Sequence, residues 1–222
     1  MILTMHQPEY LPYLGHVAKI ALADLYVFYD DVRFEKGGFQ NRNRILINAR
    51  WNWLTVPVAQ KYHQNINDVR ISGSYWKNNH LKTLKQVYGD IGTLQDIYER
   101  DYDLLVDLNI STTAWIMREL GITTPTLRSS QLKSKDEDKI QRVISICKEL
   151  KATAFVSGIG AKTYINESMF NNEQIVLIYN KWIDQHDPPL STIHYLLTLG
   201  KKTVARMLKK HVDSVRRAYA VE

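Results

Sequence analysis

The segment that most constrains this chain is its opening, "MILTMHQPEYLPYLGHVAKIALADLYVFYDD". Two short apolar runs, "ILTMH" and "DLYVFYD", are separated by one helix-length segment, "GHVAKIALA". Strands buried on both faces read as continuous apolar runs, and parallel neighbours need a crossover that the intervening helix supplies. The opening therefore predicts strand, loop, helix, strand: a parallel βαβ unit of an α/β sheet. In open sheets of this kind ligands sit outside the carboxyl ends of the strands. His6 and Gln7 stand at the first end, and Asp30 and Asp31 at the second. An imidazole, an amide and carboxylates should thus border one crevice.

Downstream, Gly37-Gly38 marks a turn, and "RILIN" and "WNWLTVPV" read as a hairpin closed through "NAR", with "NDVRISGS" a further strand. Helical patterning then runs from Trp76 to Leu120, stopped by Gly121 as a C-cap. "TPTLRSSQL" reads as a short strand. Ile140, Val143, Ile144, Cys147 and Leu150 recur at helical spacing, "TAFVSGIGAKTYI" is a strand and glycine turn, and "EQIVLIYNKW" is another strand. One terminal helix is expected over "LSTIHYLLTLGKKTVARMLKK". The expected fold is α/β, a mostly parallel sheet core with a strand–loop–helix start plus a largely helical second part. Three stretches are expected within one continuous domain: residues 1–75, a helical part over 76–125, and 126–222.

Composition narrows the class. The 222 residues are 45% hydrophobic and 23% charged, the balance of an ordinary globular protein. No apolar run reaches the ~18–20 residues of a membrane span, and no basic-then-apolar leader opens the chain, so a cytoplasmic location is expected. A single cysteine leaves no disulfide framework. Net charge is +6, concentrated in Gly200–Tyr219. A solvated helix face is the preferred reading of that cluster, and nucleic acid is not the expected partner.

Four stretches carry candidate chemistry. In "HQPEYLPYLGH", His6 is a candidate general base or transition-state donor, Gln7 orients it or the substrate, and Tyr10 is a substrate contact. Gly15 would let the next helix start close to an anion. Residues 13–16, "YLGH", also resemble the T/H-x-G-H signature of nucleotidylyltransferases and related adenylate-forming ligases. In "DDVRF", alternation lets only one carboxylate face the crevice; Asp30 is the catalytic candidate, and a metal site there lacks further ligands at suitable spacing. In "FQNRNRI", a strand would put Gln40, Arg42 and Arg44 on one face and Asn41 and Asn43 on the other, all five being candidate substrate contacts. Two arginines on one face make a bidentate clamp for phosphate or carboxylate. Trp51 and Trp53 are candidate pocket walls, one of them expected in the core. In "VSGIGAKTY", Ser157, Gly158 and Gly160 follow a strand as a phosphate-cradling turn would, although the spacing is that of neither standard nucleotide loop. His63, His80, His186, His194 and His211 have no metal-ligand spacing, so no metal site is expected. Cys147 lies on its helix's apolar stripe.

Together "HQPEYLPYLG…KI…AD…DDVRF…QNRNRI…W.WLTVPV", "LN" at 108–109, "LGI" at 120–122, "ICKELKATAFVSGIGAKTYI" and "LSTIHYLL" resemble the WbqC-like family, over nearly the whole chain to about residue 200. The motif positions fall on His6, Gln7, Pro8, Tyr10, Pro12, Gly15, Asp30, Asp31, Gln40 to Arg44, Ser157, Gly158, Gly160 and Tyr164. His16 departs from the family, which more often has an aromatic residue there; His16 is therefore expected to be incidental. The resemblance implies bacterial surface-polysaccharide (O-antigen, lipopolysaccharide) biosynthesis and an enzyme acting on a nucleotide-linked amino sugar. The implied reaction is acyl or aminoacyl transfer to the sugar amine, with ATP and Mg²⁺ or an acyl thioester on the donor side. A non-catalytic sugar-nucleotide-binding module and a nucleotidylyltransferase-like ligase are the alternatives.

Overall fold

The computed structural model describes residues 1–59 and 61–219; the last three residues of the expected C-terminal stretch lie outside the described residues. Five parallel strands form the central sheet: β1 (Ile2–His6), β2 (Leu25–Phe28), β7 (Thr126–Arg128), β8 (Ala154–Gly158) and β9 (Val176–Asn180). Their order is β7-β2-β1-β8-β9. The mostly parallel α/β sheet and the strand–loop–helix start agree with the sequence reading. Helix α1 (Leu14–Leu22) makes the β1-to-β2 crossover.

Side-chain alternation along the strands covers the sheet on both faces. Leu3, Met5, Val27 and Phe155 join Ile144, Cys147 and Phe170 of α5 (Lys139–Glu149) and α6 (Glu167–Asn172) on one face. Ile2, Ala154, Val156 and Ile178 meet Leu22 of α1 and Val215 of α8 (Lys201–Tyr219) on the other. His6 shares the parity of Ile2 and Thr4, so it points to the α1 side. That parity decides its neighbours.

Between β2 and β7 the chain leaves the sheet. The hairpin β3 (Arg42–Ile47) and β4 (Arg50–Thr55) turns through Asn48 and Ala49, both at positive φ as a tight hairpin turn requires. The short pair β5 (Val58–Ala59) and β6 (Arg70–Ile71) follows. Helices α2 (Tyr75–Tyr88), α3 (Gln95–Glu99) and α4 (Leu105–Leu120) complete the helical part, and Gly121 caps α4 at φ 68°. A single apolar cluster joins Tyr10, Leu11 and Leu14 to Ile45 and Leu54 of the hairpin, Trp76 and Leu84 of α2, and Leu196 of α7 (Thr192–Leu199).

Two local expectations are corrected. The terminal helix is two helices, because Gly200 at φ 77° breaks it between α7 and α8. The polar "QNRNRI" stretch is not all strand: β3 starts at Arg42, and Gln40 and Asn41 lie in the preceding turn.

Candidate functional site

The strand order reverses between β1 and β8, which makes their carboxyl ends the topological switch point where open α/β sheets bind ligands. The pairing Thr4↔Val156 is the last between them, and the same register carried two residues on sets His6 beside Gly158. The strands thus set "HQP" and "SGIG" side by side at the carboxyl ends of neighbouring strands. A Cβ added at Gly158 or Gly160 would meet nothing within 4 Å, so the turn leaves open space above its backbone. Ser157 is buried, whereas Tyr164 is 69% exposed.

His6 sits in a cluster larger than the motif around it. Its Nδ1 lies 3.0 Å from Gln7 O, and because a carbonyl only accepts, Nδ1 carries the proton and Nε2 is left as the basic atom. Its ring centroid is 4.1 Å from that of His16 in α1. His16 Nδ1 donates to Glu9 Oε2 at 2.9 Å, and His16 Nε2 accepts from the Tyr26 hydroxyl at 2.9 Å. Lys19, also buried, places Nζ 3.5 Å from Met5 O. Burial, reinforced by the Lys19 charge and the neighbouring His16, holds the His6 imidazole well below its ordinary pKa, so it is neutral at pH 7. Burial likewise lowers His16 and brings Lys19 down to about 8, with Glu9 opposing the latter shift.

His6, Glu9 and His16 present atoms within 4.8 Å of one another, a separation one divalent cation would accept. The hydrogen bonds put them to another use: both Nδ1 atoms carry protons, and Lys19 supplies the nearby cation. His16 was expected to be incidental; the structure corrects this, since its fully buried ring ties Glu9 to Tyr26 beneath His6. The same engagement of both nitrogens keeps it from an external phosphate, unlike the second histidine of a T/H-x-G-H turn. Gly15 is also reassigned. A Cβ there would lie 2.5 Å from the Tyr13 ring and 3.1 Å from Trp182 Cβ, so glycine answers to side-chain crowding rather than to a bound anion.

The hairpin brings the second half of the site. Gln40 Nε2 donates to Gln7 Oε1 at 2.6 Å, linking the two motifs directly. Arg42 and Arg44 share one face of β3: Arg42 Cζ lies 4.1 Å from the Trp53 ring centroid, and Arg44 Cζ lies 5.1 Å from Trp53 and 5.2 Å from Phe39. Stacking of this kind holds a guanidinium by its face and leaves its edge for an anion. Neither arginine has a carboxylate within salt-bridge distance among the described residues, and the Nε of each is buried without a hydrogen-bond partner. Burial lowers the Arg44 pKa, as does the Arg42 charge, while Asp187 and Asp184 oppose. Asp187 also lines a cleft of about 470 Å³ with Arg50, Trp51 and His186. Neither tryptophan is in the core: Trp53 is half-buried under the arginines and Trp51 is 48% exposed, which corrects the expectation for one of them.

Several motif residues serve the framework, correcting their expected contact with substrate. The Tyr10 hydroxyl is fully buried between His80 Nδ1 (2.9 Å) and the Tyr98 hydroxyl (2.6 Å). Asn41 Nδ2 donates to Val56 O, and Asn43 Nδ2 donates to Tyr10 O and Leu11 O. Asp30, expected to be catalytic, is fully buried and its oxygens are approached by Arg128 Nε (2.6 Å), Ser130 N (2.9 Å), and the hydroxyls of Ser129 (3.2 Å) and Ser130 (2.9 Å). Asp31 pairs with Lys135 and Arg142. These carboxylates anchor the β2 and β7 ends: Arg128 Nε and Ser130 hold Asp30, while the single Ser129 hydroxyl proton goes to Asp31 by the shorter contact.

Glu9, Lys19 and Asn109 are the residues that sequence reasoning passed over, and His16 the one it set aside. Asn109 of α4 donates to both Pro8 O (3.0 Å) and Gln40 O (2.8 Å), fastening the two motif loops side by side. The signal for Asn109 was only "LN" within the family pattern. Glu9 lay inside the quoted motif without a partner in view.

No solved structure matches the chain. Rv1507c, an uncharacterized protein of Mycobacterium tuberculosis (strain ATCC 25618 / H37Rv), is 31% identical over 179 residues, covering 76% of this chain and 77% of its own. The WbqC-like protein family matches residues 7–206, and the chain belongs to that family.

Proposed function

We propose that the protein transfers an acyl or aminoacyl group to the amine of a nucleotide-linked amino sugar, as a step of surface-polysaccharide biosynthesis. The observation that carries this reading is the unpaired arginine couple Arg42 and Arg44, stacked on Trp53 and tied through Gln40–Gln7 to the neutral, Nε2-basic His6. Two guanidinium edges without a protein counter-ion suit the diphosphate of a sugar nucleotide. The open backbone at Gly158, which ends β8, and at Gly160 just beyond it suits the second, donor ligand, with exposed Tyr164 four residues further along the chain.

In this reading the sugar amine attacks the donor carbonyl, forming the new C–N bond. His6 Nε2 takes the proton that the nitrogen sheds, and the bond from the acyl carbon to the donor's sulfur or phosphate oxygen breaks, its electron pair leaving with that group as the carbonyl re-forms. Gln7 orients substrate, and the carboxylate of Glu9 stabilises the imidazolium formed on His6. The donor is a thioester or an adenylate, which its co-product tells apart.

The test is incubation of the protein with a dTDP- or UDP-amino sugar, ATP, amino acids and acyl-CoA, read by mass spectrometry for an acylated sugar nucleotide. AMP release identifies an adenylate donor, and free CoA a thioester. His6→Ala should keep sugar-nucleotide affinity and lose at least about 10²-fold in turnover. Arg42→Ala should lose affinity. Sugar-nucleotide binding with no mass shift for any donor would refute transfer and leave a binding module.

A further inference from the structure

Helix α8 carries seven lysines and arginines against one aspartate, so its net +6 equals the net charge of the whole protein. Everything outside it is balanced. The helix is amphipathic: Val204, Leu208 and Val215 are buried in the fold, while Lys202, Arg206, Lys209, Lys210 and Arg217 are exposed. Its apolar side is therefore occupied, and its charged side faces out. Lys209 pairs with Asp213 at 2.8 Å, but Lys202, Arg206, Lys210 and Arg217 have no carboxylate partner among the described residues. Arg206, Lys209, Lys210 and Arg217, with Asp213, line a shallow trough of about 290 Å³. The WbqC-like family match ends at residue 206, inside this helix, so most of the basic row belongs to this chain rather than to the family pattern.

We propose that this face of α8 docks the protein on an anionic phospholipid surface. The row extends along a straight helix of about 28 Å at 1.5 Å per residue. Its other side is held in the fold, so the charges are presented outward as a single row. It exposes no amide side chain to read adenine, and its terminal tyrosine, Tyr219, has its hydroxyl engaged by Tyr179 N. A plane of lipid phosphates meets such a row along its length. Each basic side chain near an anionic bilayer contributes about 1 kcal/mol, roughly fivefold in partitioning.

The test is co-sedimentation of the full chain with phosphatidylcholine vesicles, with and without phosphatidylglycerol. Binding is expected only with phosphatidylglycerol and should vanish near 1 M salt, where screening falls to about 3 Å. The triple variant Lys202→Gln, Arg206→Gln, Lys210→Gln should bind about 10²-fold more weakly, while its urea midpoint stays unchanged. Equal partitioning to both vesicle types, or undiminished binding by the variant, would overturn the proposal. Tighter binding to a duplex DNA than to the anionic vesicles would overturn it in favour of nucleic acid.

Discussion

Replacing Asn43 with alanine separates the frame of the candidate site from its chemistry. Leu11, in the loop that follows His6, is held at φ 48°, a left-handed conformation that costs a leucine roughly 1–2 kcal/mol. Asn43 holds that loop in place: its Nδ2 donates to Tyr10 O at 3.2 Å and to Leu11 O at 2.9 Å, and its Oδ1 accepts from Arg44 N at 2.8 Å. In Asn43→Ala, Leu11 O keeps the Ser191 hydroxyl at 2.7 Å, but Tyr10 O and Arg44 N lose these partners in a buried site. Each orphaned group costs about 1–3 kcal/mol, so the variant should be less stable by about 3–4 kcal/mol. With a urea dependence of about 3 kcal/mol per molar for a chain of this size, its midpoint should fall by ~1 M. Equilibrium urea unfolding followed by tryptophan fluorescence measures this. Arg44→Ala should do the reverse, leaving the midpoint within ~0.2 M while weakening sugar-nucleotide binding by at least tenfold, the loss of one charge-assisted hydrogen bond. An Asn43→Ala midpoint shift below ~0.3 M, or lost ligand affinity at full stability, would refute the division of roles.

Three further outcomes follow from the same geometry. Burial brings His80 down to about 4 against an unfolded value near 6.5. Between those values the unfolded chain binds a proton that the folded one refuses, so stability should fall as pH drops from 6.5 to 4. His80 accounts for about 3 kcal/mol of that fall at 1.36 kcal/mol per unit, and an unaltered pH slope in His80→Asn would contradict this. Gly15→Ala should destabilise by about 1–3 kcal/mol, because the added Cβ meets the Tyr13 ring at 2.5 Å; a neutral thermal melt would show that the ring swings away freely. Asp30→Ala should cost about 3 kcal/mol by leaving Arg128 Nε and Ser130 N unpaired, and unchanged stability would return the carboxylate to the list of candidate catalytic groups.

Strand-level features were legible because they are local. "ILTMH" and "LYVF" are covered on both faces, and a short, nearly continuous apolar run says so before any fold is known. The hairpin through "NAR", the cap at Gly121 and the helix around Cys147 are read from residues that are neighbours in sequence. The pairing of Arg42 with Arg44 on one face follows from strand alternation. Which side chain meets which across the fold is not a local property. Asp30 and Arg128 are 98 residues apart, and Asn109 lies 101 from Pro8 and 69 from Gln40. A polar residue in a motif therefore looks like a ligand contact until its partner is known.

The sequence by itself determined the parallel α/β start, the placement of His6 and Gln7 at a strand's end, and the family to which the chain belongs. The tertiary structure alone decided that β8 lies beside β1, which is what sets two separate motifs next to each other. It also decided that Tyr10, Asn43 and Asp30 face inward and that His16 completes a buried Glu9–Tyr26 link under His6. The physical reason is desolvation. A buried polar group must find a partner wherever the fold supplies one, and sequence spacing carries no record of which distant residue that is.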